Sequence, residues 1–291
     1  MIVRVRSWIE HGCAVLNELR PAGEGACRIS AGLTFGVSHG MKAPVPSYFL
    51  APHVYPCVTD DHVVLLDLQR DKYLGLARDQ MAALAGHVAG WPALSVTPPD
   101  ARRVQEPDER PAHAGAEALI NKMLAAGMLT TDPAVGKDAS PVQVPRAESP
   151  LVEEDLEARP EVKFTDVVRF LAASALTALA LKCRPIEAVV HRVKARKARG
   201  RESVAALDGA VAQRAVAAFI RLRPLLFGAQ DACLFDSLAL VRYLAWYKVY
   251  PTCVIGVQTK PFGAHCWVQE ANIVFNDAPE YVRRFTPILT M

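Results

Sequence analysis

The sequence predicts an α+β chain, in which a small strand-then-helix unit is followed by helices and then an antiparallel sheet. Three observations carry this. His62-Val-Val-Leu-Leu-Asp-Leu68 and Lys72-Tyr-Leu-Gly-Leu76 are β-prone apolar runs separated by the turn-length Gln69-Arg70-Asp71, the pattern of a hairpin. Residues 162–221 hold three helical stretches. Thr252-Cys-Val-Ile-Gly-Val-Gln258, Ala264-His-Cys-Trp-Val-Gln-Glu270 and Ile273-Val-Phe-Asn-Asp277 then read as successive strands.

The 51% of hydrophobic residues against 22% charged gives enough apolar material for a sizeable core and excludes global disorder. Aromatics are only 7%, so much of the apolar fraction is Ala, Val and Leu, which favours helices. Thirty-three basic and 30 acidic residues leave +3, which removes any case for polyanion binding from bulk charge. The seven cysteines are odd in number and form no Cys-x-x-Cys. That argues against a disulfide framework and a thiolate zinc site, and leads to the expectation of a reduced, cytoplasmic protein with no metal or cofactor. Glu10 and His11 interrupt the N-terminal apolar stretch, so no signal peptide is expected. The most apolar window, residues 170–181, is shorter than the roughly 20 residues a bilayer requires and is read as a buried helix, without stable membrane insertion.

Residues 1–47 show no period and are expected to be an N-terminal extension, with Met41 as the working start. Residues 48–131 form the first unit: a strand within 48–58, the hairpin, and a helix over 78–89 with Met81, Leu84, Ala85 and Val88 at helical spacing. A loop over 91–111 with five prolines follows, then a helix over 114–126. The latter carries Leu119, Ile120, Met123 and Leu124 on one face, and Gly127 is its expected C-cap. Residues 132–160, with five more prolines and an acidic run, are expected to be a linker. The second domain, 161–291, opens with helices over 162–182, 185–198 and 203–221. The basic run over 192–201 is read as a solvated helix end.

The chemistry is expected between residues 230 and 277. Asp231 is placed as the N-cap of a helix that begins near Cys233. There the helix dipole and first-turn N–H groups favour a thiolate. Leu234, Leu238, Val241 and Ala245 form the buried stripe, and Cys233 lies off it. On the following strands the register decides which residues meet. A two-residue loop at 271–272 pairs Glu270 with Ile273 and separates His265 from Asp277. A three-residue loop, with Asn272 in the left-handed region, pairs Gln269 with Ile273, His265 with Asp277, and Trp267 with Phe275. The second register is preferred, and strand alternation then turns Asn276 away from the site. Cys233, His265 and Asp277 are the parts of a nucleophilic triad: His265 activates the thiol and protonates the leaving amine, Asp277 orients the imidazole, and the Cys233 N–H is an oxyanion donor. Cys253 and Cys266 are read as packing residues.

Cys233-Leu-Phe-Asp-Ser-Leu-Ala-Leu240, Val254-Ile-Gly-Val257, Pro261-Phe-Gly-Ala-His-Cys-Trp-Val268 and Asn276-Asp277 resemble the leader peptidase of lasso-peptide biosynthesis. That family is transglutaminase-like, with a site similar to papain-type cysteine proteases. The likeness spans most of 161–291, and the family's nucleophile, base and acid fall on Cys233, His265 and Asp277. Cys266 replaces the usual Ala, and Asn272 stands where a turn Gly is common. The first unit resembles a PqqD-like precursor-recognition element, a winged-helix fold of three strands and three helices. Leu65-Leu-Asp-Leu68, Lys72-Tyr-Leu-Gly-Leu76 and Ala126-Gly-Met-Leu129 carry this likeness. It implies that a leader peptide adds as a strand beside the hairpin, with Val64, Leu66, Lys72, Tyr73 and Leu74 as leader-binding residues. An isolated 48–131 fragment is then expected to bind the leader. The resemblance also implies a lasso precursor peptide and a separate, asparagine-synthetase-like cyclase as partners. Two other readings remain: a transglutaminase-like acyltransferase using the same triad, and a winged-helix DNA-binding or scaffold protein without catalysis. The helix over 78–89 offers DNA only Arg78 and His87, and the helix over 114–126 only Lys122, so no nucleic-acid partner is expected.

Overall fold

In the computed structural model, which describes residues 2–4, 48–59, 62–92, 110–152, 161–203, 209–226 and 232–291, the expected hairpin forms. Strand β1 (Ile2–Arg4) and β2 (Phe49–Leu50) precede β3 (Val54–Val58), β4 (Val63–Asp67) and β5 (Lys72–Leu76). Strands β4 and β5 pair from Val63↔Leu76 to Asp67↔Lys72. The turn closes on Asp67, whose carboxylate accepts the Arg70 backbone N–H at 3.0 Å and its guanidinium at 2.9 Å, with Asp71 at φ 56°. The sheet order is β1-β5-β4-β3, and β2 pairs separately with β6 (Leu129–Thr130).

One face of this sheet, with Val54, Val63, Leu65 and Leu76, packs on α1 (Arg78–Leu84) and α2 (Arg110–Ala125) through Met81, Leu84, Ile120 and Met123. Helix α1 is shorter than its apolar period suggests, because the chain turns through Gly86 and Gly90, both at positive φ, and Val88 bridges to Tyr48. Helix α2 ends as expected: Gly127 at φ 62° is followed by a Met128 N–H bond to the Met123 carbonyl. The unit has two helices among the described residues, where the resemblance implies three.

The opposite face ties this unit to the rest of the chain. Cys57, Val64, Leu66, Leu68 and Tyr73 share a core with the second half of the chain. Tyr73 meets the Phe262 ring edge-on at 5.7 Å, and the Cys57 thiol lies 3.8 Å from the Thr286 carbonyl. The unbroken apolar run of β4 reflects a strand covered on both faces. Val64, Leu66 and Tyr73 are each at most 1% exposed, so three of the five expected leader-binding side chains are buried by the second half. Lys72 and Leu74 are half-buried on the strand that pairs with β1. An isolated 48–131 fragment would expose this face to water. It is expected to aggregate or stay unfolded by circular dichroism while the full chain folds. A folded, monomeric fragment would show that this face tolerates solvent.

The second half comprises α3 (Phe164–Cys183), α4 (Ile186–Ser203), α5 (Gly209–Leu222), a 3₁₀ turn (Arg223–Leu225), α6 (Cys233–Ala245), β8 (Thr252–Thr259), β9 (Phe262–Glu270), β10 (Ile273–Val274), α7 (Pro279–Val282) and β11 (Thr286–Thr290). The sheet order is β11-β8-β9-β10-β7, in which β7 (Ser149–Pro150) runs parallel to β10. The stretch expected as a linker therefore supplies an edge strand, and its Ala139 and Ala147 are buried in two different cores. Helix α6 is central: it packs on β9 on one side and on α3 and α5 on the other, with Phe170, Phe219 and Tyr243 in edge and tilted ring contacts of 5.3 and 5.5 Å. At 20 residues α3 is longer than the apolar window and, by length and composition, apolar enough to cross a membrane. It buries Phe170, Ala173, Thr177 and Leu181 and leaves Phe164, Val168, Leu171 and Leu179 exposed.

Candidate active site

Helix α6 begins at Cys233 after Ala232, which holds the N-cap position without a side-chain cap. The expected cap, Asp231, lies outside the described residues. Cys233 is the first helical residue and is 8% exposed. The expected single stripe is wrong for this helix. Leu234, Asp236, Ser237, Leu238, Ala239, Leu240, Val241, Tyr243 and Leu244 are all buried, because protein covers α6 on nearly every side, while Ala245 is only half-buried. The Ser237 hydroxyl donates to the Cys266 carbonyl at 3.0 Å. This fixes the turn after Cys233 against β9, next to His265.

The loop after β9 has two residues, not the preferred three: Glu270 pairs with Ile273 and Gln269 with Val274. Ala271, at φ 50°, takes the left-handed position expected of Asn272. The physical reason lies in side chains around the loop. The Gln269 amide donates to the Ala271 carbonyl at 2.7 Å and the Pro145 carbonyl at 2.9 Å. The Asn272 carbonyl accepts the Glu148 N–H that leads into β7, and its amide donates to the Glu148 carboxylate. Phe275 accordingly sits opposite Val268, donating its N–H to the Val268 carbonyl, and the expected Trp267–Phe275 pair does not form.

His265 and Asp277 nevertheless meet, by another route. Beyond Phe275 the Asn276 side chain takes over the ladder: its Oδ1 accepts the Val268 N–H at 2.8 Å. The backbone is thereby released to turn into α7, and Asp277 swings onto His265. Nε2 of His265 lies 2.5 Å from Oδ2 of Asp277, whose Oδ1 accepts the Ala278 N–H at 2.8 Å. With Nε2 engaged, Nδ1 is the nitrogen left for proton exchange. His265 is 5% exposed, stacked beside Trp267 and walled by Tyr281 and Phe285 at 5.0 and 5.1 Å between ring centroids. Gly256 stands opposite His265 in the register, and a Cβ there would come within 2.8 Å of the Trp267 ring, so this wall requires glycine.

The structure thus joins His265 and Asp277 directly. It places Cys233 at the start of the helix that Ser237 fixes to the same strand. Cys253 and Cys266 are buried free thiols with sulfurs 3.5 Å apart, and burial holds the Cys266 thiol well above its usual range, as suits packing residues. Asn276 is corrected from an outward-turned neighbour to a buried connector, which also donates to Asp236 and Ser237. Asp236, Ser237 and Arg223 escaped the sequence reading. For Asp236 and Ser237 the one signal was a charged and a hydroxyl residue inside the otherwise apolar Cys233-to-Leu240 run, and Arg223 carried none. Among the described residues no group of three or more His, Cys, Asp or Glu is arranged to hold a metal ion.

Residues 171–290 match the family model described as the transglutaminase-like superfamily. No curated protein and no solved structure matches the chain. The matched span runs from within α3 to the end of β11 and contains Cys233, His265 and Asp277. Its helix-borne cysteine, strand histidine and following aspartate belong to a mixed α+β body with an antiparallel sheet. The C-terminal part of the chain, residues 171–290, is a transglutaminase-like superfamily domain.

Proposed function

We propose that this chain is a fused lasso-peptide leader peptidase: it binds the leader of a ribosomal precursor and hydrolyses the leader–core bond with Cys233, His265 and Asp277. The observation that carries the reading is the His265–Asp277 pair in a transglutaminase-like domain whose central helix starts at a cysteine. In this mechanism the Cys233 thiolate attacks the scissile carbonyl carbon. The oxyanion is met by the Cys233 backbone N–H in the first turn of α6. The His265 imidazolium, its charge supported by Asp277, gives its proton to the departing core amine as the C–N bond breaks. A water deprotonated by His265 then attacks the thioester. The leader leaves as a carboxylic acid and the thiol is restored. The freed amine is the substrate of an asparagine-synthetase-like cyclase, which the proposal requires as a separate partner.

The test is to incubate the full chain with a candidate precursor peptide sought in its gene neighbourhood and weigh the products. Leader and core masses that sum to the precursor plus one water support hydrolysis. The superfamily assignment also suits acyl transfer, and a leader joined to an added amine would replace hydrolysis by that reading. An unchanged precursor would defeat both.

Leader recognition on this reading uses the outer edge of β5. That edge accepts an antiparallel strand, since β1 lies on it with Ile2↔Leu74, Val3↔Tyr73 and Arg4↔Lys72. A leader strand would displace β1 and bond to the same backbone groups. Lys72 and Leu74 remain contacts at this edge, whereas Val64, Leu66 and Tyr73 support the sheet from behind. Deleting residues 1–4 is therefore expected to tighten leader binding by roughly tenfold, about the effect of removing a 1.4 kcal/mol competitor. Fluorescence anisotropy with a labelled leader reads this directly. Weaker binding after the deletion would make β1 part of the leader site.

A further inference from the structure

Behind the His265–Asp277 pair lies a buried polar group that the triad chemistry does not itself use. Asn276 is 6% exposed and Asp236 2% exposed. The Asn276 Nδ2 donates to Asp236 Oδ2 at 2.7 Å and to Ser237 Oγ at 3.1 Å, while its Oδ1 takes the Val268 N–H. The Asn276 carbonyl accepts Arg223 Nη1 at 3.1 Å, and that same nitrogen stands 3.5 Å from Asp236 Oδ2. Every hydrogen-bonding group of the Asn276 amide is thus spent on joining α6, β9 and the segment that carries Asp277. The second oxygen, Asp236 Oδ1, is buried with no hydrogen-bond partner. A buried carboxylate that is only half satisfied is costly, and a structural hinge would be served as well by a neutral amide. The retained charge calls for a use.

We propose that Asp236 is a positioning residue for the site, acting through Asn276: it anchors the amide that presents Asp277 to His265, and its charge favours the protonated imidazole. This rests on the Cys233–His265–Asp277 reading. The groups that face Asp236 are Arg223 from the 3₁₀ turn, His265 and Cys266 from β9, and Asp277 after β10. Burial pushes the Asp236 carboxyl up to about 6, against the pull of the Asn276 bond and Arg223, with Asp277 adding to the rise and His265 opposing it. Asp236 therefore loses its charge as pH falls through about 6, and its support of the imidazolium is lost with it.

Alkylation by iodoacetamide tests this without a substrate. The rate at Cys233 is followed by peptide mass spectrometry in the full chain, with the exposed Cys183 as internal reference. In the wild type Cys233 should react faster than Cys183 at mildly acidic pH, because the ion pair keeps it as thiolate, and should slow as pH falls through about 6. Asp236→Asn keeps the shape and still accepts a bond from Asn276. It should slow Cys233 by roughly tenfold at neutral pH, erase the step near 6 and leave Cys183 unchanged. Folding is controlled by sign. A carboxyl raised in the folded state gives stability below its unfolded value of 3.8 that is lost as pH rises through about 6. The Asn variant should thus melt no lower than wild type at neutral pH. A fast wild-type Cys233 whose rate and pH step survive Asp236→Asn would overturn the positioning role alone. A wild-type Cys233 no faster than Cys183 would overturn the triad reading, and this proposal with it.

Discussion

Cys233→Ala is expected to abolish leader removal, with a loss of at least about 10⁴-fold in turnover, while leader affinity stays within about twofold of wild type. Removing the sulfur removes the only atom that forms the covalent intermediate, so what remains is whatever the oxyanion donor and substrate positioning supply. Affinity is spared because the proposed leader edge is the outer side of β5, whereas Cys233 opens α6. The substitution itself is mild: Cys233 is the first residue of its helix, and Ala has the higher helix propensity. Single-turnover cleavage followed by mass spectrometry, beside anisotropy with labelled leader, checks both halves. The other buried thiols supply the contrast. Cys253→Ala and Cys266→Ala each remove a buried sulfur from a packed pair and should lower stability by about 1 kcal/mol with most activity kept. Loss of cleavage in either of these, with cleavage retained in Cys233→Ala, would move the nucleophile.

Local signals were legible wherever neighbouring residues decide the outcome. The hairpin over β4 and β5 follows from two apolar runs and an Asp-bearing turn, and Gly127 ends α2 because only a left-handed residue makes that cap. The helix start at Cys233 and the strand that carries His265 were legible because a thiol at a helix start and a strand histidine are patterns of residue type. What escaped depends on partners far along the chain. A strand such as Val63–Asp67 reads the same whether its second face meets solvent, a leader peptide or a core shared with residues far along the chain. The loop at Ala271–Asn272 is set by Gln269, Pro145 and Glu148, and two of these lie in a stretch that composition marks as linker. The register was wrong and the His265–Asp277 contact right for one reason. Strand alternation assumes a backbone ladder, and here the Asn276 side chain substitutes for one rung. A buried amide acting as backbone leaves no periodic trace.

That substitution shapes the expected result for the acid. Asp277→Asn should lower kcat/KM by roughly 10²- to 10⁴-fold with near-normal leader binding, by analogy with the loss when a serine triad's aspartate becomes an amide. The lower bound allows for a cysteine nucleophile, which holds some thiolate without help. The geometry explains why an isosteric change is so costly. Asp277 uses one oxygen for the Ala278 N–H and the other for His265 Nε2. An amide has only one oxygen. If it serves Ala278, the NH₂ faces Nε2 and forces the imidazole proton onto Nδ1, so the base toward Cys233 is already occupied. If it serves Nε2–H, the Ala278 N–H meets an NH₂ and the start of α7 loses its bond. Either arrangement also removes the anion that supports the imidazolium. Asn276→Ala should behave differently, and more severely than strand alternation suggests. It strands the Val268 N–H, the Asp236 carboxylate and one Ser237 acceptor site, so about 2–4 kcal/mol of stability should be lost and the melting temperature should fall. Asp277→Asn should melt close to wild type while barely turning over. Measuring both kcat/KM and melting temperature for the two variants separates the roles. An Asp277→Asn enzyme within tenfold of wild type, beside a stable but inactive Asn276→Ala, would make Asn276 the group that orients His265.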